Sequence, residues 1–217
     1  MSAEIKFCGL TRPDDAAQAA ELGAAFVGVI FAGGPRNLTV ERAAEVLRDV
    51  PRTVRRVGVF AEQSTDEIAR AADTLALGVV QLHGASGAVR IAALRRVFHG
   101  EIWPVVRVTG GKLPTSFADA LAAGDGVLLD AFVPGALGGT GVALDWAQLA
   151  TELQGLRGER RIILAGGLRP ENVGQAIAAL APDVVDVSSG VESAPGIKDH
   201  HRMRAFRDAV THASIPT

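Results

Sequence analysis

Short runs of β-branched and other apolar residues alternate along this chain with longer stretches rich in Ala, Leu, Glu and Arg. Several of the short runs are almost continuously apolar, as expected of parallel strands that are covered on both faces. The longer stretches have the pattern of amphipathic helices. The predicted strands are Glu4–Cys8, Ala25–Phe31, Val54–Phe60, Gly78–Leu82, Ile102–Val108, Gly126–Asp130, Arg161–Ala165 and Val184–Ser188.

The intervening stretches carry the residues that begin and end helices. Pro13, followed by two aspartates, predicts a helix N-terminus, and Gly23 predicts the end of that helix. Ser64-Thr65-Asp66-Glu67 predicts a capping box. The last helix is predicted over about His200–Val210.

Eight strand–helix pairs in 217 residues predict one (β/α)8 barrel that occupies the whole chain, residues 1–217, as a single domain. An open, doubly wound sheet is the structural alternative, and it would need a crossover that reverses the strand order. The regularity of the eight units favours closure into a barrel.

Composition narrows the function classes. A net charge of −2, a pI near 6.2 and only 5% aromatic residues argue against a nucleic-acid partner. No apolar run approaches the roughly 18 residues that cross a bilayer, so no membrane partner is expected. The N-terminus lacks the pattern of a signal peptide, and a single cysteine cannot form an internal disulfide. These features predict a cytoplasmic protein without a metal site.

Two residues at predicted strand ends have the chemistry of a base and an acid. Cys8 ends the first strand and Asp130 ends the sixth, at the rim where parallel barrels keep their catalytic groups. Alone, a cysteine in an apolar strand is more often a small core residue, and as a base Cys8 needs a positive local potential. Asp130 could be an exposed loop acid or a helix cap, but its apolar neighbours favour a protonated carboxyl that can donate a proton.

Glycine-rich segments follow three of the predicted strands. Gly166 and Gly167 end strand seven, and Ser188-Ser189-Gly190 ends strand eight, where barrels commonly hold phosphate. Tight turns are the alternative interpretation. The segment Gly138-Gly139-Thr140-Gly141 after strand six is predicted to be a flexible loop that folds over a ligand, which makes Gly139 and Thr140 candidate substrate contacts.

Four further polar residues lie at strand ends. Arg36, after strand two, could bind a carboxylate through two hydrogen bonds, or could be a solvated surface residue. Gln81 and His83 close strand four, and we expect both to face the pocket. Asp186, on strand eight, could contact the substrate or be a structural partner of Lys6. His200 and His201 are expected at the surface.

These segments, taken in order, resemble the phosphoribosylanthranilate isomerases of tryptophan biosynthesis over almost the whole chain. The segments that carry the resemblance are Lys6-Phe7-Cys8-Gly9-Leu10-Thr11, Pro35-Arg36, Val80-Gln81-Leu82-His83-Gly84, Leu129-Asp130 with Gly138–Gly141, Leu164-Ala165-Gly166-Gly167-Leu168 and Val185-Asp186-Val187-Ser188-Ser189-Gly190-Val191-Glu192. The chain departs from many relatives at Ala32-Gly33-Gly34, before the Pro-Arg pair.

The resemblance implies an Amadori rearrangement of a phosphosugar substrate without a metal or organic cofactor. It implies that Asp130 protonates the furanose oxygen and that Cys8 removes the C2′ proton. It also places the phosphate at Gly166, Gly167 and Ser188-Ser189-Gly190, and the carboxylate at Arg36. We expect a monomer or a homodimer.

Two other functions stay open at the level of sequence. One is the histidine-pathway isomerase of a related ribotide, or an enzyme that serves both pathways. Its relatives carry an aspartate on strand one and a phosphate loop after strand three, whereas this chain has Cys8 and Val59-Phe60-Ala61-Glu62. The other is a non-catalytic barrel that binds a phosphosugar.

Overall fold

Eight parallel strands form a closed barrel in which each strand pairs with its neighbours in sequence and β8 pairs with β1. The computed structural model describes residues 3–84, 87–131, 145–156, 158 and 160–213. The barrel strands are β1 (Glu4–Phe7), β2 (Phe26–Ile30), β3 (Arg55–Phe60), β4 (Val79–Leu82), β5 (Glu101–Val108), β6 (Gly126–Ala131), β7 (Arg161–Ala165) and β8 (Val184–Val187).

Helices cover the outside of the barrel and alternate with the strands along the chain. They are α1 (Pro13–Glu21), α2 (Val40–Leu47), α3 (Thr65–Leu75), α4 (Ala88–Leu94), α5 (Phe117–Ala123), α6 (Trp146–Leu153), α7 (Val173–Leu180) and α8 (His200–His212). A short antiparallel hairpin, β9 (Glu192–Ala194) and β10 (Ile197–Lys198), lies between β8 and α8.

The predicted barrel is confirmed, and every predicted strand lies within one residue of the observed one at each end. The local end signals are confirmed as well. Pro13 begins α1, and Gly23 follows that helix with a φ of 77°. Ser64 and Glu67 form the predicted capping box. The β9–β10 hairpin was not predicted, because its strands of three and two residues are too short to show a pattern.

The barrel interior is filled by side chains. Phe26 and Trp103 pack edge to face with ring centroids 5.0 Å apart, and both are buried. Arg55 lies over the Phe26 ring and pairs with Glu101 at the amino-terminal ends of the strands. That end of the barrel is therefore occupied by packed and paired side chains.

A second apolar layer lies between the strands and the helices, and it carries most of the core. Among the described residues, no helix is both long and apolar enough to cross a membrane.

Candidate active site

Cys8 lies at the carboxyl end of β1, one residue beyond the strand. Its backbone N–H donates to the Val187 carbonyl at 2.9 Å, which continues the β1–β8 ladder past the last paired strand residues. The residue is buried, with 6% of its surface exposed. Lys6 lies two positions earlier on β1, and because side chains alternate along a strand, both face the barrel interior.

The Lys6 ammonium joins three strands at the centre of the barrel mouth. Its Nζ donates to Asp186 Oδ2 at 2.7 Å on β8 and to Gln81 Oε1 at 2.9 Å on β4. The ammonium is completely buried. The alternative role considered for Asp186, a partner of Lys6, is thus observed, although Asp186 Oδ1 is buried without a partner in the described part of the chain.

Gln81 connects Lys6 to His83 through hydrogen bonds. Because its carbonyl oxygen accepts from Lys6, its amide nitrogen faces His83 Nε2, 3.0 Å away. The histidine nitrogen must therefore accept, which places the proton of a neutral ring on Nδ1. Burial lowers the pKa of His83, and the Lys6 and Arg107 cations lower it further, against the raising effects of Asp130 and Asp186, so the net pKa is lowered.

Asp130 is partly buried near the carboxyl end of β6 and is paired in register with Arg107 on β5. Burial raises the pKa of Asp130, and the negative charge of Asp186 raises it further, against the lowering effects of His83 and Arg107. A raised pKa favours the protonated carboxyl that a proton donor requires.

The same Asp186 charge acts on Cys8. Burial raises the pKa of the Cys8 thiol, Lys6 lowers it, and Asp186 raises it again. Cys8 and Asp130 thus both lie at the carboxyl ends of barrel strands, and Asp186 is close enough to influence the pKa of each.

Arg36 has a partner that the sequence did not predict. Its Nε and Nη2 donate to the two oxygens of Glu192 at 2.7 and 2.6 Å, so its guanidinium is not the solvated one considered as an alternative. Glu192 also accepts from the buried Nζ of Lys198 at 2.9 Å. A guanidinium has five N–H donors. Because Glu192 binds the Nε and Nη2 edge, the Nη1 edge is available to a second acceptor.

The loops after β7 and β8 touch one another. A Cβ at Gly190 would lie 1.9 Å from the Leu168 carbonyl oxygen, so only glycine allows this approach. Gly166 and Gly167 have φ values of 88° and 68°, which also favour glycine. Ser188 is partly buried, with its carbonyl oxygen 3.1 Å from Lys198 Nζ, and Ser189 is exposed.

The remaining residues are the predicted loop contacts after β6 and the two histidines that begin α8. Gly139 and Thr140, the predicted loop contacts after β6, lie outside the described residues. His201 is exposed as predicted. His200 is partly exposed, and its Nε2 lies 2.9 Å from the buried Asp15, which also pairs with Arg12. Asp15 needs these partners because a buried carboxylate is unfavourable alone.

Sequence reasoning gave no role to Lys198, Glu192 or Arg107. Lys198 lies in a hairpin without a periodic pattern, and Glu192 contacts a residue 156 positions away. Arg107 could have been found, because it follows the inward-facing Trp103 and Val105 at alternate positions of β5. No group of three or more possible metal ligands occurs among the described residues.

The closed barrel, with a thiol, a carboxyl and several cations at the carboxyl ends of its strands, is the architecture of a (β/α)8 enzyme that transfers protons on an anionic small molecule. Comparison with known proteins agrees with this class and narrows it. Residues 5–209 match the family model of N-(5'-phosphoribosyl)anthranilate (PRA) isomerase. The chain belongs to that family.

Individual relatives align over nearly the full length. The N-(5'-phosphoribosyl)anthranilate isomerase of Pseudomonas fluorescens (strain Pf0-1) is 42% identical over 206 residues, covering 94% of this chain and 97% of the relative. The crystal structure of phosphoribosyl anthranilate isomerase from Thermotoga maritima superposes with a TM-score of 0.86 at 32% identity, covering 96% of this chain and 98% of that one.

A further solved relative contains a ligand. It is a phosphoribosyl anthranilate isomerase in complex with reduced 1-(o-carboxyphenylamino)-1-deoxyribulose 5-phosphate, with a TM-score of 0.82 at 31% identity, covering 96% of this chain and 98% of that one.

Proposed function

We propose that this chain isomerises N-(5'-phosphoribosyl)anthranilate to 1-(o-carboxyphenylamino)-1-deoxyribulose 5-phosphate in tryptophan biosynthesis, with Asp130 as general acid and Cys8 as general base. Family membership supports the reaction. One observation supports the two roles: both groups lie at the carboxyl ends of barrel strands, where the Asp186 charge raises the pKa of each.

The first step is ring opening. A protonated Asp130 donates its proton to the furanose oxygen as the C1′–O bond breaks, and the anilino nitrogen supplies the electron pair that forms an iminium. Because burial raises the pKa of Asp130, the group keeps a proton at a pH where an exposed aspartate would not.

The second step is removal of the C2′ proton by the Cys8 thiolate. The electron pair of the broken C–H bond neutralises the iminium and gives an enolamine, which tautomerises to the ketone. Each positioned proton transfer contributes about 10²–10⁴-fold to the rate. All of these steps are proton transfers, and none requires a cofactor.

Two anionic ends of the substrate need cations or N–H groups, because otherwise they would raise the pKa of the thiol. We place the phosphate at Gly166, Gly167 and the Ser188-Ser189-Gly190 segment, close to Lys198. The contact between these two loops supports one shared anion site.

We place the anthranilate carboxylate on the Nη1 side of Arg36. The ion pair with Glu192 changes the expected binding geometry, because Arg36 Nε and Nη2 already donate to the two Glu192 carboxylate oxygens. Glu192 would then fix the guanidinium plane, and Arg36 would present its remaining edge to the substrate. Gln81, His83 and Asp186 are proposed to contact the sugar, and Gly139 and Thr140 remain predicted contacts.

The wider setting is also proposed. The whole chain would act as one catalytic domain in the cytoplasm, with a small phosphosugar and no nucleic acid or membrane as its partner. A monomer or homodimer is proposed, and one relative from Thermotoga maritima is described as dimeric and as obtained in monomeric form. Sedimentation at several concentrations would decide between the two states.

The experiment is a direct assay of two substrates. Purified enzyme should convert N-(5'-phosphoribosyl)anthranilate, followed by the change in anthranilate fluorescence, and should leave the histidine-pathway ribotide unchanged. Failure to convert the first compound would remove the proposal. Turnover of the second at a comparable kcat/KM would replace it with a dual-substrate function.

A further inference from the structure

The sulfur of Cys8 and the end of the Lys6 side chain lie next to each other, and both are close to Gly28. A Cβ placed on Gly28, in neighbouring β2, would lie 2.9 Å from Cys8 Sγ and 3.4 Å from Lys6 Cε. A glycine at this position therefore leaves room for thiol and ammonium to lie side by side.

The Lys6 ammonium has three N–H donors, and two of them have acceptors in the structure. These two donate to Gln81 and Asp186, on strands that flank the mouth. The third N–H is left over by these two acceptors, and the Cys8 sulfur lies on the same face of β1, beside the end of the Lys6 side chain.

We propose that Lys6 is the positioning residue of the base: its ammonium, held by Asp186 and Gln81, stabilises the thiolate of Cys8 and orients the sulfur toward the substrate. This inference rests on the proposed function of Cys8 as the base. It gives a role in the reaction to a buried ion pair that would otherwise only fill the barrel.

Charges from several elements face the sulfur. Burial raises the pKa of Cys8 most, and Lys6 is the largest influence that lowers it. Asp186 on β8 raises the pKa and Lys198 on β10 lowers it, while Arg36, after β2, is close enough to interact with the thiolate. Without Lys6, burial and Asp186 would dominate, and the thiolate would form only at a higher pH.

Lys6 itself keeps its charge. Burial lowers the pKa of the ammonium, but the interactions with Asp186 and Cys8 outweigh that effect, and the net pKa is raised. The ammonium beside the sulfur is therefore charged at neutral pH.

A purely structural role for Lys6 predicts something different. If the ion pair only ties β1 to β8, removal of either partner should disturb the site in the same way. If Lys6 acts on the sulfur, removal of the two partners should move the thiol titration in opposite directions, because their charges are opposite.

The amino-acid composition allows the Cys8 thiol to be titrated without overlap from a second thiol or a phenol. The chain has one cysteine and no tyrosine, so the rise of thiolate absorbance in the far ultraviolet reports Cys8 alone. We would titrate the wild type, Lys6→Met, Asp186→Asn and the double variant, and measure iodoacetamide alkylation at neutral pH by intact mass. Lys112→Met is the matched control, since Lys112 is exposed.

Lys6→Met should shift the thiol midpoint upward and slow alkylation about tenfold or more, the effect of losing an opposite charge at close range. Asp186→Asn should shift it downward, and the double variant upward, because Lys6 acts on the thiol more strongly than Asp186. The control should titrate as the wild type does.

A wild-type midpoint in Lys6→Met, or shifts of the same sign in both single variants, would overturn the inference. Should Lys6→Met not fold, the double variant, in which no buried charge is left unpaired, decides by its upward or absent shift. The base assignment fails separately: full turnover by Cys8→Ser would remove it while leaving the titration results intact.

Discussion

At the scale of single residues, the pKa values of the two reacting groups determine how much of the enzyme is in the active protonation state. Burial raises the pKa of both Cys8 and Asp130. The proposed reaction needs a thiolate and a neutral carboxyl, although an ordinary carboxyl loses its proton about 4 to 5 pH units before a thiol. The active form is then the less populated of the two singly protonated forms, and raising the pKa of Asp130 or lowering that of Cys8 increases its share.

The first prediction is a bell-shaped pH dependence of kcat/KM. Activity should fall at low pH as Asp130 and Cys8 are both protonated, and fall at high pH as both are ionised, with apparent values that belong to the pair. The acid limb should lie above the usual range of an aspartate, and the alkaline limb above that of a thiol. An alkaline limb at or below the ordinary thiol pKa would contradict the assignment.

Arg36 gives a second prediction at this scale. Arg36→Ala should lower kcat and raise KM, each about tenfold or more, because the guanidinium both binds the carboxylate and offsets its charge near the thiol. Arg36→Lys is the control: it keeps the charge but loses the fork to Glu192, so kcat should suffer less than KM. Steady-state kinetics measure both, and an effect of Arg36→Ala on KM alone would remove the electrostatic role.

At the scale of elements, the capping box of α3 is a local signal with a measurable energy. The Glu67 backbone N–H donates to Ser64 Oγ at 3.3 Å, and the Ser64 N–H donates to Glu67 Oε2 at 2.8 Å. Ser64→Ala should lower the free energy of unfolding by about 0.5–2 kcal/mol in chemical denaturation. Ser116 precedes α5 without a cap hydrogen bond, so Ser116→Ala should change stability by less than about 0.5 kcal/mol. Equal losses would refute the capping role.

The contact between the loops after β7 and β8 gives a matched pair of glycine substitutions. Gly190→Ala would drive a Cβ against the Leu168 backbone and separate the loops, so KM should rise about tenfold or more as charged hydrogen bonds to phosphate are lost. Gly174 in α7 has nothing within 4 Å of its added Cβ, so Gly174→Ala should leave KM unchanged. An unchanged KM in Gly190→Ala would place the phosphate elsewhere.

At the scale of the whole molecule, the closed barrel predicted from sequence is confirmed, and the placement of Cys8 and Asp130 at strand ends has a related physical basis. Parallel strands buried on both faces appear as apolar runs, so all eight strands were found. Because βα-loops meet at one end of such a barrel, Cys8 and Asp130 could be placed together although 122 positions separate 8 from 130.

The residues whose roles could not be predicted from sequence make side-chain contacts with residues that are distant along the chain. Nothing local indicates that Lys198 lies beside Glu192, or that Glu192 holds Arg36. The Lys6–Asp186 pair was one of two open alternatives, since alternation fixes which face a side chain takes but not its partner.

The central claim is that sulfur and carboxyl, delivered by opposite parts of the barrel, act on one substrate. The most direct test measures kcat for Cys8→Ser and Asp130→Asn by the fluorescence assay, together with the affinity of each variant for the reduced product analogue. We predict that kcat falls about 10²–10⁴-fold in each variant while the analogue still binds. A wild-type kcat in either variant would contradict the account.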